Sequence, residues 1–182
     1  MSQRSSGYSR KYDEEYPTPP WPVAVIGNYL RSFRVESVWE PAAGHPAMAL
    51  ALRELGFQVR ATSKDFFCWN TSPSTKITAV VTNPPYGEDR RGKVAADFIR
   101  HALSLPIQHV CMLLRVDFDS AKGRVDLFRD CPAFAGKIVL LDRIKWFDGP
   151  SSPSDNHAWF LWYAQNLGAP HVYYAERAKE DE

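Results

Sequence analysis

Much that would classify a chain by composition alone is missing from this one. Its three cysteines (Cys68, Cys111 and Cys131) are odd in number and far apart, which excludes a disulfide framework and predicts reduced, mostly buried thiols. Neither they nor His45 and His157 form a metal-ligand spacing, so no metal is expected. The 22 basic residues nearly balance the 21 acidic ones, so the net charge of +1 provides no global field toward nucleic acid or anionic lipid. Any polyanionic partner has to be met by local patches. No apolar run approaches the ~18 residues of a membrane span, and the N-terminus lacks an apolar secretory core, so a cytoplasmic protein with no membrane partner is expected. No internal repeat is visible.

What remains is an ordinary globular composition. With 45% hydrophobic and 24% charged residues over 182 positions, the chain has enough apolar surface for one real core. We expect a flexible tail over 1–15, a single domain over 16–175 and a charged tail over 176–182. Within the domain, "YPTPPWPVAVIGNYLRSF" opens with prolines and continues as an apolar helical stripe. "VESVWE" reads as a strand ending at Glu40, "HPAMALALRELG" as a helix stopped by Gly56, and "FQVRAT" and "ITAVVT" as strands. "VAADFIRHALSL" is a helix, "HVCMLL" a buried strand and "SAKGRVDLFRD" a weaker helix; "GKIVLL", "AWFLWYA" and "HVYYA" complete the strands. Strands alternating with helices predict an α/β domain with a mainly parallel sheet and helices on both faces.

In such sheets ligands gather at the carboxyl ends of the strands. Two turns lie there, "EPAAG" and "TNPPY". The second has a chemical use. A planar amino group conjugated to a ring or carbonyl is a poor nucleophile because its lone pair is delocalised. Two acceptors that hold both N–H bonds draw the nitrogen toward tetrahedral geometry and free that pair. Asn83 Oδ1 and the Pro84 carbonyl are such acceptors, Pro85 stiffens the corner, and Tyr86 offers a stacking face. Base–aromatic stacking is worth ~1–3 kcal/mol. The plainer alternative is a Pro-Pro turn with Asn83 on its own backbone and Tyr86 as core filler.

"NPPY" following "EPAAG" resembles the S-adenosylmethionine-dependent amino-methyltransferases, chiefly the DNA adenine-N6 type. The resemblance covers roughly residues 16 to 165, including "YPTPPWPVAVI", "DFF", "AADFIRHALSL", "HVCMLLR" and "HAWFLWY" in order. It implies a Rossmann-like class I methyltransferase fold, S-adenosylmethionine as cofactor, and Asn83, Pro84, Pro85 and Tyr86 as catalytic residues. By the same resemblance Tyr16 and Thr18, with Glu40, Pro41, Ala42 and Gly44, would lie against the cofactor's methionine end. Glu40 would accept from its ammonium group. Asp65 and Phe66 would hold the adenine, unless they are simply a surface acid beside a core aromatic.

Two positions depart from the pattern. Pro46 stands where a glycine is usual and removes an N–H. Ser63 stands near the place of the acid that binds the ribose, leaving Asp65 to serve ribose or adenine. Arg90, Arg91 and Lys93 are candidate phosphate contacts, or else a solvated loop. Trp146 and Phe147 would stack on a base or pack in the core. The expected substrate is adenine N6 in DNA. The alternatives are an RNA base, a protein glutamine amide, or a non-catalytic binding module of the same fold; the oligomeric state is open.

Overall fold

The structure, a computed structural model, describes residues 16–85, 92–146 and 155–178. The expected tail over 1–15, Tyr86, Arg90, Arg91 and Phe147 lie outside the described residues.

Three helices and seven strands follow in the order α1 (Pro20–Ser32), β1 (Ser37–Glu40), α2 (Ala47–Glu54), β2 (Gln58–Ala61), β3 (Ala79–Thr82), α3 (Lys93–Ser104), β4 (His109–Arg115), β5 (Phe134–Leu140), β6 (His157–Tyr163) and β7 (His171–Ala175). Prolines 20 and 22 sit in the first turn of α1, where a missing N–H costs no hydrogen bond. Val23, Ile26 and Leu30 form its buried stripe. Gly27 lies so close to α2 that a Cβ there would come within 2.8 Å of Leu55 Cδ1. Gly56, at φ 91°, ends the chain's path out of α2 in the left-handed conformation that glycine adopts freely.

The sheet has the order β2-β1-β3-β4-β6-β5-β7. Alternation along the strands divides the core. Val38, Ala79, Val81, Cys111 and Leu113 face α1 and α2, whereas Trp39, Val80, Met112 and Leu114 face α3. Both faces of the central strands are therefore covered, as their uninterrupted apolar runs predict.

All pairings are parallel except those of β6, which runs antiparallel to both β4 and β5. The expected helix over 120–130 is instead a pair of 3-10 segments, Phe118–Ser120 and Lys122–Leu127. Its carbonyls are taken by side chains: Arg124 donates to the Phe118 carbonyl at 2.5 Å, and Trp162 Nε1 to the Leu127 carbonyl at 2.7 Å. Among the described residues no helix is long and apolar enough to cross a membrane, and no group of three His, Cys, Asp or Glu is placed to hold a metal ion.

Candidate cofactor and active site

From β1 the chain moves outward to β2 and then returns to the other side of β1 to form β3. Strand order therefore reverses between β1 and β3, and the crevice between their carboxyl ends is the ligand position this topology creates. The residues at those ends are Glu40 and Thr82, followed by the bend 41–44 and by Asn83.

Three buried side-chain oxygens in this region have no hydrogen-bond partner among the described residues: Glu40 Oε2, Thr82 Oγ1 and Asn83 Oδ1. Leaving a buried acceptor unsatisfied costs about 1–3 kcal/mol. Glu40 Oε2 and Asn83 Oδ1, at the ends of two neighbouring strands, suit donors from outside the chain, whereas Thr82 alternates with Val81 to the α3 face of the sheet. Glu40 is only 3% exposed, and burial pushes its carboxyl up to about 7 against the opposing pull of Arg53 and of the Ala49 backbone amide. Pro84 is buried and Pro85 exposed.

The bend after Glu40 is held by a clamp that sequence reading passed over. Trp39 Nε1 donates to Thr62 Oγ1 at 2.9 Å, the Thr62 amide donates to the Glu40 carbonyl at 2.9 Å, and the Ala43 amide donates to the Thr62 carbonyl at 3.1 Å. The available signal was positional, since Thr62 directly follows the strand paired with β1. Pro41 is buried, Ala42 half-buried and Gly44 exposed, so small residues line the bend. Pro46 opens α2; its carbonyl accepts from Leu50 at 2.9 Å, and His45 Nδ1 accepts from the Ala47 amide at 3.2 Å. Pro46 thus takes a place at the start of the helix where a missing N–H disrupts no helical bond.

The other expected site residues are scattered around this crevice. Thr18 is buried at the entrance to α1, and the adjoining Trp159 Nε1 donates to the Pro22 carbonyl at 2.8 Å. Tyr16 meets Trp146 edge-on at 5.6 Å, and Trp146 meets His157 at 5.2 Å. Trp146 is half-buried between these two rings. Asp65 is exposed; its Oδ1 accepts from the Phe67 amide at 3.0 Å. Phe66 is enclosed by Trp39, Phe98 and His101 with ring centroids 5.2, 4.3 and 4.7 Å away, and at 2% exposure it has no open face for an adenine. The Phe66 ring lies in the core beside α3. The exposed ring of the pair is Phe67, at 45%. Ser63 and Lys64 are exposed, and Lys93 is the exposed first residue of α3.

Two open hollows of about 400 and 330 Å³ lie elsewhere, lined by Phe128, Pro132 and Asn166 and by Ile107, Gln108 and Trp162. They are at the amino ends of the parallel strands, away from the unpartnered oxygens and the strand-order reversal.

No family model and no curated protein matches the sequence. Solved structures do. A candidate RNA methyltransferase of Pyrococcus horikoshii superposes with a TM-score of 0.66 at 12% identity, over 86% of this chain and 90% of its own. A candidate class I S-adenosylmethionine-dependent methyltransferase of Listeria monocytogenes superposes at 0.61 and 11% identity, over 94% and 68%. The fold is that of class I methyltransferases. The modification subunit of a candidate type I restriction enzyme from Vibrio vulnificus also shares it, at 0.55 and 12% identity; the match covers 94% of this chain and 48% of that one. At such identities the likeness concerns the backbone arrangement alone.

Within the class I fold, the residues at the crevice can be tested against S-adenosylmethionine. The methionine end suits them: a buried carboxyl with one oxygen lacking a partner among the described residues matches an ammonium group, and the small residues 42–44 allow close backbone approach. On the adenine side the fit rests on Asp65 and the exposed Phe67, since Phe66 is occupied.

Proposed function

We propose that the protein is an S-adenosylmethionine-dependent methyltransferase acting on an exocyclic amino nitrogen, with adenine N6 in DNA as the first substrate to test. The observation that carries this reading is the pair of unpartnered acceptors, Glu40 Oε2 and Asn83 Oδ1, at the ends of the two strands flanking the reversal of strand order. When bound, S-adenosylmethionine would supply an electrophilic methyl on a sulfonium: the N–C bond would form as the S–C bond breaks, S-adenosylhomocysteine would leave as the thioether, and the amino proton would pass to solvent. Glu40 would hold the ammonium group, and the bend 41–44 would leave room for the sulfur. Asn83 Oδ1 and the Pro84 carbonyl would accept the two N–H bonds, aligning the nitrogen lone pair; Pro85 would limit the corner's freedom and Tyr86 would stack on the base. Arg90, Arg91 and Lys93 would meet phosphates beside the corner. A base in a duplex must leave the stack to reach such a corner.

Two acceptors and a stacking face also suit an RNA base or a glutamine amide. Incubating the protein with methyl-labelled cofactor and separate DNA, RNA and protein fractions decides among them, and label in the adenine of DNA is the expected result. Asn83→Ala should lower turnover at least ~100-fold, the scale of losing one preorganised transition-state contact, while cofactor affinity changes less than about threefold. Loss of cofactor binding in that variant would show that the corner belongs to the cofactor site instead. Ser63 and the occupied Phe66 ring favour a second reading, a binding module without turnover. Absence of transfer to all three fractions, together with no calorimetric signal near millimolar cofactor, would establish it.

A further inference from the structure

We propose that Glu40 couples ligand binding to proton release: its carboxyl is protonated in the unliganded protein and surrenders the proton when an ammonium-bearing ligand seats beside it. This rests on the cofactor reading above and adds a regulatory property to that site.

Among the described residues the geometry leaves the carboxylate almost alone. Glu40 ends β1 between β2 and β3, is 3% exposed, and has one oxygen with no hydrogen-bond partner. From α2 it meets the charge of Arg53 and the Ala49 amide. On the same sheet face β2 presents Val59 and Ala61, and β3 presents Val81 and then Asn83, none of them ionisable. Residues 17–27, leading into and along α1, carry no charged side chain. The bend contributes His45, exposed and engaged with the Ala47 amide. A carboxylate buried with so little compensation gives up its charge by holding a proton, and here burial pushes its titration up to about 7. An incoming ammonium reverses the balance, because the ionised form then gains a partner at the unpaired oxygen.

The linkage has a definite sign and size. A group titrating near 7 carries its proton in a large share of molecules at pH 6.5, so binding that ionises it releases a substantial fraction of one proton. Affinity should improve up to ~10-fold per pH unit as pH rises toward 7, then level off. At pH 6.5 a ligand α-amino group, with an ordinary value of ~7.7–8.0, remains charged and does not contribute.

The test is calorimetric and needs no turnover. The full chain is titrated at pH 6.5 with S-adenosylhomocysteine, which keeps the ammonium and lacks the sulfonium, in MES and in imidazole, whose protonation heats differ. The expected result is a difference in binding enthalpy corresponding to net proton release of up to one proton, abolished in Glu40→Gln. Binding with no buffer dependence, or with proton uptake, overturns the proposal while leaving the cofactor reading intact. An equal release in Glu40→Gln overturns it too, since the proton then comes from another group. No binding at any pH from 5.5 to 8 removes the cofactor reading and the proposal together.

Discussion

At the residue scale the structure sets two buried ionisable groups against each other. Burial raises Glu40 to about 7 and lowers His109 to about 4. Glu40, with a folded value above its unfolded one, contributes stability that is full below about pH 4.5 and is lost as pH rises through 7. His109, with a folded value below its unfolded one, has the opposite effect: it favours the folded state above about 6.5 and costs stability as pH falls through 4. The two partly cancel between pH 4 and 7. Glu40→Gln removes one side of that balance. The variant should match the parent near pH 4.5 and be stabilised relative to it at pH 7.5, by up to about 3 kcal/mol, as read in thermal melts at both values. Equal shifts at both pH values would mean that Glu40 titrates normally. The position of Glu40 was legible in the sequence, because an acid follows an apolar strand and precedes a run of small residues. Its isolation was not legible, because it depends on β2 and β3 bringing only uncharged side chains to the same face. Which ring of the Phe66–Phe67 pair turns inward was not legible for a similar reason: adjacent aromatics do not reveal it, and the 3-10 turn after Asp65 decides it.

At the element scale, helices and strands were legible to within a residue or two wherever apolar spacing was regular, as in α3 and β4. The direction of β6 was not. A strand's polarity depends on the connection before it, and residues 141–156 carry no helical pattern that would return the chain for a parallel pairing. The attachment of β7 was equally hidden, because it depends on one residue of β5. Gly136 sits at φ 133°, and a Cβ there would overlap the His171 carbonyl. Only a residue without a side chain lets β7 pair with β5 at this point. Gly136→Ala should therefore release β7 locally at a cost of about 1–3 kcal/mol. In hydrogen exchange, the amides of β7 should lose protection while those of β3 and β4 keep it. Unchanged protection in β7 would show that the strand can move to admit the methyl group.

At the scale of the whole molecule, the α/β class and the parallel sheet followed from the alternation of strands and helices. Strand order could not be read from the sequence, yet it supplies the functional geometry. By reversing between β1 and β3 it brings the bend that follows Glu40 and the corner at 82–85, separated by some forty residues of chain, to the two sides of one crevice. The clamp of Trp39 and Thr62 then holds the first turn against the end of β2. A crystal structure of the protein with S-adenosylhomocysteine tests the central claim most directly. The account predicts the ligand's ammonium group on Glu40, its sulfur along residues 41–44, and Asn83 Oδ1 facing the open side of the sulfur. A ligand bound in the hollows at the opposite end of the sheet, or a bend at 41–44 filled by its own side chains with Asn83 turned away, would contradict it.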